Sequence, residues 1–133
     1  MLRLLPALLV AIGMVLACGG PVRTPEQVLE EQLQAFHGHL RWGRVSEASN
    51  FVDDAHRNVF LGMYEEYGDE YEVTEFELES VQYERGSDEA EVIVWMQWFR
   101  LPSTRVNEET YRETWEYDPI RRVWLMTDRE MID

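Results

Sequence analysis

Cysteine and lysine are the residues that this sequence has least of. Cys18 is the only cysteine among 133 residues, so the chain cannot form an internal disulfide. All 12 basic residues are arginine, and they face 26 acidic residues, which leaves a net charge of −14. Because such a chain repels phosphate backbones and anionic headgroups, we expect neither nucleic-acid binding nor membrane attachment through a basic patch. The acidity fits a solvated surface; a saline environment or a cationic partner is the alternative.

Long apolar runs are also missing after residue 17. Residues 1–17 have the pattern of a secretory signal peptide, with Arg3 as the charged start, an apolar run from Leu4 to Leu16, and the small residue Ala17 at the end. The run is shorter than the roughly 20 residues that a helix needs to span a bilayer. The pattern therefore favours a leader that is removed over a permanent membrane span.

The end of the leader, Val15-Leu16-Ala17-Cys18, resembles the lipobox of bacterial lipoproteins. In that family the cysteine receives a diacylglyceryl group, the signal peptide is cut just before it, and the new amino terminus can be acylated as well. Two or three acyl chains anchor a protein stably, whereas one does not. The resemblance implies that Cys18 is the lipid attachment site and that the chain is attached to the membrane through this lipid. An ordinary secreted protein with a free cysteine is the alternative.

The residues after the cysteine bear on localisation. Residues 18–23 are interpreted as the lipidated cysteine and a short tether, and residue 19 is glycine. In lipoproteins of double-membrane bacteria, aspartate at this position is the inner-membrane retention signal. The resemblance therefore implies the cell envelope, with the outer membrane favoured. Residues 24–133 remain as one domain, long enough to bury a core without disulfides.

Helix signals occupy the first half of this domain. Thr24 and Gln27 form a capping-box pattern around Pro25, and apolar residues then recur at helical spacing, which predicts a long helix ending near residues 42–43. A short helix is predicted at residues 46–52. A third begins at residues 53–54 and ends at Gly68. Its expected apolar side consists of Ala55, Val59, Phe60, Met63 and Tyr67.

Strand signals occupy the second half. Alternating patterns predict strands at residues 71–84, 89–101, 106–117 and 122–127, with a bulge near Glu79 and Ser80 where the alternation slips. Helices followed by an antiparallel meander indicate an α+β fold, in which one long and two short helices pack on a curved antiparallel sheet of about four strands.

This order of elements resembles the NTF2-like, cystatin-like cone. The segments that carry the resemblance are Leu40–Arg44 leading to Ala48 and Phe51, Glu89–Val92 leading to Trp98–Arg100, Glu113–Tyr117, and Val123–Leu125. Together they cover nearly all of residues 24–127. The resemblance implies a cone-shaped domain, and it leaves function open because the superfamily contains enzymes, transport factors and binding modules.

Candidate catalytic groups are few. His37 and His39 are two residues apart on a helix and point to different sides, whereas Asp53 and His56 have a better spacing but match a helix cap. Tyr83, Tyr111 and Glu113 are candidate groups for a site inside the cone. Most acids alternate with apolar residues, so we expect them on solvent faces, with no carboxylate in an apolar surround. The sequence contains no phosphate loop, zinc-ligand cluster or nucleophile motif, and it predicts no cofactor, no metal and no catalytic residue.

Aromatic residues of the strands form the other candidate site, and their roles could be interface or core. The set consists of Trp95, Phe99, Tyr111, Trp115 and Tyr117. If they share the sheet face away from the helices, they predict a protein partner or a homodimer through that face. The sequence therefore favours a lipid-anchored, non-catalytic binding or assembly module. The alternative is a small-ligand-binding or enzymatic domain that uses the cone interior.

Overall fold

The computed structural model describes residues 19–20 and 22–133, so the leader and Cys18 lie outside the described residues. The elements are α1 (Pro25–Arg41), α2 (Val45–Ser49), α3 (Asp54–Tyr67), β1 (Tyr71–Tyr83), β2 (Glu89–Arg100), β3 (Asn107–Asp118) and β4 (Val123–Met131). Three helices followed by one four-stranded antiparallel sheet confirm the predicted α+β fold. Within the described part of the chain, no helix is long and apolar enough to cross a membrane.

Helix α1 forms as its capping pattern predicts. The Thr24 side chain accepts a hydrogen bond from the Gln27 backbone, and the Gln27 side chain accepts one from the Thr24 backbone, with Pro25 at the first turn. The helix ends before Gly43, whose φ of 70° few other residues adopt readily. Its buried side consists of Leu29, Leu33, Phe36, His37 and Leu40.

Helix α3 buries a different side from the one expected. Its buried residues are Phe60 and Tyr64, whereas Val59 and Met63 are 65% and 40% exposed. The prediction that Val59 and Met63 belong to the buried side is therefore wrong. The pairs Val59/Met63 and Phe60/Tyr64 both have the helical spacing of four. They differ by a rotation of about 100° around the helix axis, and sequence spacing alone does not show which pair is buried.

The sheet runs in the order β1-β2-β3-β4 and is interrupted by register shifts. One shift in β1 lies between Leu78 and Ser80, which confirms the predicted bulge, and a second lies between Val73 and Glu75. A third lies in β3 between Thr114 and Trp115. Each bulge bends its strand and increases the local twist, so the sheet is curved.

The two faces of the sheet differ sharply. The helix side, which we call the inner face, buries Ala90, Val92, Val94 and Met96 of β2 and the indoles of β3 and β4, Trp115 and Trp124. These residues pack on α1 around Phe36, whose ring centroid lies 5.4 Å from that of Trp115. The opposite side is called the outer face below.

Strand β4 is tied to the helices. The Gln32 amide donates to the Trp124 carbonyl at 3.0 Å and its oxygen accepts from the Trp124 backbone at 2.7 Å, while the indole of Trp124 donates to the Pro25 carbonyl at 2.8 Å. Between α2 and α3, the carbonyl of Phe51 accepts a hydrogen bond from the backbone of Met126 at 2.8 Å. Among the described residues, no strand pairs with the free side of β1.

Candidate functional site: a cleft above a buried charged cluster

An open cleft lies where the end of α1, the start of α2, helix α3 and the first half of β1 meet. It has a volume of about 950 Å³, and its apolar lining includes Leu40, Val45, Leu61, Tyr64, Tyr71 and Val73. This size is at the upper end of the range typical of ligand pockets, and polar side chains such as Arg41, Asp69 and Thr74 line the cleft as well. Helix α3 ends before Gly68 and β1 begins at Tyr71, so two of the elements that line the cleft follow one another in the chain.

One wall of the cleft is backed by packed aromatic rings. The ring centroids of Tyr64 and Tyr71 are 6.0 Å apart, Tyr67 lies 4.8 Å from Tyr71, and Trp98 lies 5.1 Å from Tyr71. Burial raises the pKa of the Tyr71 phenol, and neighbouring Tyr64 raises it further. The phenol therefore stays protonated at neutral pH and is available as a hydrogen-bond donor.

The rim of the cleft is polar except for one exposed indole. Trp42 is 69% exposed, and the guanidinium of Arg41 lies 5.3 Å from the centroid of its ring. Glu65, Asp69 and Glu72 add carboxylates to the rim. An exposed tryptophan at the mouth of an apolar cleft is the kind of residue that contributes most to binding energy.

Beneath the cleft lies an ion pair that is closed to solvent. Nε2 of His37 on α1 is 3.0 Å from Oε2 of Glu113 on β3, and both side chains are 0% exposed. Oε1 of Glu113 accepts a hydrogen bond from the Trp115 indole at 3.1 Å. The Nδ1 atom of His37 lies 2.7 Å from the Leu33 carbonyl, which can only accept. Both ring nitrogens of His37 therefore have a partner inside the protein.

Arg129 of β4 connects this pair to the cleft. Its Nε atom lies 3.3 Å from Oε2 of Glu113 in an ion-pair contact, and its guanidinium donates to the Tyr64 hydroxyl at 2.9 Å. The guanidinium also lies 4.0 Å above the centroid of the Tyr111 ring and 2.8 Å from the sulfur of Met96. Since Tyr64 lines the cleft, the charged cluster fixes one cleft residue from below.

The charges of the cluster support one another. Burial by itself would raise the pKa of Glu113, but His37, Arg129 and the Trp115 indole outweigh it and hold the pKa below its ordinary value. Burial likewise would lower the pKa of Arg129, and Tyr64 and Glu113 raise it instead. The carboxylate and the guanidinium are therefore both charged at neutral pH.

The cluster contains residue types that act in catalysis in many enzymes, but a substrate cannot reach them. A general acid or base must come within hydrogen-bond reach of its substrate. Glu113 and His37 are fully buried, and their polar atoms already have protein partners. Their geometry suits a structural role that positions Tyr64, whereas the cleft above them is open to a ligand.

The five predicted interface aromatics do not share a face, so that prediction is wrong. Tyr111 and Trp115 are buried on the inner face, and Tyr117 packs on Trp124 there at 5.2 Å. Trp95 and Phe99 are half-buried on the outer face. The reason is the strand register, which pairs Val94 with Tyr111 and therefore puts odd positions of β3 opposite even positions of β2.

Glu113 also contradicts the expectation that no carboxylate sits among apolar side chains. Its position carried a usable signal, because it lies in the same alternating phase as Tyr111 and Trp115. His37 carried one too, since it follows Leu33 by four residues and therefore lies on the apolar side of α1. The ion pair joins residues 76 positions apart, which local patterns do not connect.

The remaining candidate residues have structural contacts. Tyr83 packs on Trp124 with ring centroids 5.5 Å apart. Asp53 caps α3 and its Oδ1 lies 2.6 Å from Nδ1 of the exposed His56. Within residues 22–133, no group of three histidine, cysteine or acidic side chains is arranged to hold a metal ion.

Comparison with known proteins gives a likeness of fold. No protein-family model matches the sequence, and no curated protein matches it significantly. Among solved structures, the intermembrane space region of the chloroplast protein ARC6 is similar, with a TM-score of 0.56 at 13% identity. The match covers 84% of this chain and 98% of that chain. At this identity the likeness concerns the fold and carries no information about the ligand.

Proposed function

We propose that this chain is a lipid-anchored, non-catalytic binding protein of the bacterial cell envelope, with an NTF2-like domain whose cleft holds an apolar ligand. The observation that carries the proposal is the open, aromatic-walled cleft of about 950 Å³ above a sealed charged cluster. His37 and Glu113 are closed off from solvent, while the cleft presents apolar side chains to the outside. This combination supports binding over catalysis.

The cleft supplies the parts that a binding site needs. Leu40, Leu61 and Val73 provide apolar area, and the ring of Tyr71 provides a flat contact surface with a hydroxyl for orientation. Tyr64 is held in place by Arg129, so the wall is preorganised and loses little freedom when a ligand binds. The exposed indole of Trp42 would be covered by the ligand.

The proposed anchor precedes the first turn of α1 in the sequence, whereas the cleft lies at the last turn of that helix. This helix has 17 residues and is about 25 Å long. The tether, residues 18–23, joins its first turn, whereas Leu40 and Trp42 at its other end line the cleft. The length of α1 thus separates the tether from the cleft, which supports a ligand taken from solution over one taken from the bilayer that holds the anchor.

Binding is tested with the neutral fluorophore N-phenyl-1-naphthylamine and the variant Trp42→Ala. The native domain should bind the probe with a rise in fluorescence, and the variant should bind about tenfold more weakly, as for loss of a binding hot spot. Val59→Ala is the matched control, because Val59 is equally exposed but lies outside the cleft. Equal affinity of the two variants, or no binding by the native domain, would contradict the cleft proposal.

The anchor is tested separately with Cys18→Ser in the full chain expressed in a bacterium. The native protein should partition into the detergent phase of an envelope extract, and the variant should move to the aqueous phase because it carries no acyl chain. If the variant stays in the detergent phase, the lipid anchor is refuted and the cleft proposal stands unaffected.

A further inference from the structure

The outer face of the sheet has a composition that the cleft does not account for. Its strand residues are all partly or fully exposed, and the buried residues of the strands lie on the inner face. The three helices contact the sheet from the inner side through the core around Phe36. The outer face is therefore an unpartnered sheet face.

The centre of this face is apolar and its flanks are acidic. Ile93, Trp95 and Phe99 lie in one row along β2, a central strand, with Gln97 between the last two. The register places carboxylates opposite and beside this row, on both neighbouring strands and on β2 itself. They include Glu72, Glu75, Glu77, Glu91, Glu108 and Glu116.

Positive charge hardly reduces this acidity. Arg112 is the only arginine among the strand residues that the register assigns to the outer face. It lies 3.9 Å from Glu91 and 3.7 Å from Glu130, so it is already shared between two carboxylates. The pairs Glu75–Gln97 and Glu77–Trp95 have no basic neighbour across the strands. The flanks are thus much more acidic than the chain as a whole, in which 12 basic residues accompany 26 acidic ones.

We propose that the outer face docks a basic segment of a partner protein, which places an apolar side chain on the Ile93–Trp95–Phe99 row and lysine or arginine over the flanking carboxylates. An apolar centre with a charged rim is the usual anatomy of a protein interface. A second copy of this chain is excluded as the occupant, because two acidic rims would face each other. Nucleic acid is excluded for the same reason.

The test uses a synthetic peptide of alternating lysine and leucine as probe, with a peptide of alternating glutamate and leucine as its negative control. Binding is measured by calorimetry at low and high salt. The native domain should bind the basic peptide alone, and the affinity should fall with salt because exposed charges are screened. The triple variant Glu75→Lys, Glu77→Lys, Glu108→Lys should bind it at least tenfold more weakly.

A second triple variant tests whether the peptide binds to the outer face or is attracted only by the net negative charge of the domain. Glu30→Lys, Glu47→Lys and Glu66→Lys change the net charge equally, on exposed helix positions. This variant should keep the native affinity within about a factor of two. An equal loss in both triple variants, or no binding of the basic peptide by the native domain, overturns the proposal. Trp42→Ala should leave this binding unchanged, so the outcome is independent of the cleft.

The apolar row is tested with Trp95→Ala. This variant should also bind the basic peptide several-fold more weakly, and its circular dichroism should match that of the native domain because the side chain is outside the core. Sedimentation of the native domain should show a monomer over a range of concentrations. A dimer that disappears in Trp95→Ala would overturn the choice of a basic partner over a second copy.

Discussion

Replacing Glu113 with glutamine should destabilise the domain by about 3–5 kcal/mol, the usual effect of removing one partner of a buried ion pair. The side chain keeps its shape, and Oε1 can still accept from the Trp115 indole. The negative charge disappears from a site where His37 lies 3.0 Å away and Arg129 lies 3.3 Å away. The guanidinium of Arg129 is then buried without its counter-charge, which is why the effect exceeds that of a lost hydrogen bond.

The effect is large enough to measure in a simple assay. Domains of this size have free energies of unfolding of about 5–15 kcal/mol, so the variant should lose a substantial part of its stability. Urea unfolding followed by tryptophan fluorescence gives the difference directly, because Trp115 and Trp124 are buried in the native state. The melting temperature should fall by about 10 °C or more.

A neighbouring substitution provides the control. Glu116→Gln is on the same strand but exposed, and it should change the stability by less than about 0.5 kcal/mol. A double-mutant cycle of Glu113→Gln with His37→Phe should give a coupling energy of about 1–3 kcal/mol. If Glu113→Gln is as mild as Glu116→Gln, or if the cycle shows no coupling, the ion pair does not stabilise the fold and the reasoning is refuted.

Three further predictions concern the same domain. The pKa of Glu113 is lower in the folded state than its ordinary 4.5. The stabilising effect of Glu113 is therefore present above about pH 4.5 and is lost as the pH falls through the folded-state pKa. Urea midpoints measured against pH should show this loss in the native chain and not in Glu113→Gln. Thr24→Ala should cost about 1 kcal/mol in urea unfolding because the cap of α1 is removed, whereas Thr24→Ser should retain it. Phe36→Ala should cost about 3–5 kcal/mol by calorimetry because it opens a cavity against Trp115; a loss below 1 kcal/mol would mean that the site is not packed.

The helices and strands were predictable because their signals are local. The capping box at Thr24 and the glycine stop at Gly68 are formed by residues that lie close together in the sequence, and the structure shows both. The slip in alternation at Ser80 likewise marked a bulge that the register confirms. Such patterns are set by backbone geometry and do not require knowledge of the neighbouring strand.

The division of residues between faces was less predictable. The alternation in β3 shows that Tyr111, Glu113 and Trp115 share a face, but only the pairing with β2 decides which face that is. The same holds for α3, where the choice between Val59 and Phe60 as a buried residue depends on what the helix packs against. These assignments depend on long-range packing, which overrides local preference.

The candidate site is the part of the structure that local sequence patterns predicted least. The cleft is formed by residues from Leu40 to Thr74 on four separate elements, and the cluster beneath it joins α1, β3 and β4. His37 and Glu113 each followed an apolar pattern, but nothing near either residue identifies the other. A polar residue in an apolar phase is the signal that should have prompted a search for a partner.

The two edges of the sheet differ in how they are kept from pairing with another chain. At β4, the carbonyl of Phe51 and the backbone N–H of Asp53 already bond to Met126, so part of that edge is occupied by the chain itself. At β1, the strand carries glutamate at residues 72, 75, 77 and 79, and their mutual repulsion discourages a second strand. Occupation does not depend on pH, whereas repulsion between carboxylates does. Acidification would therefore remove the repulsion at the β1 edge, and two copies would pair edge to edge through their first strands, a contact that closes as a dimer.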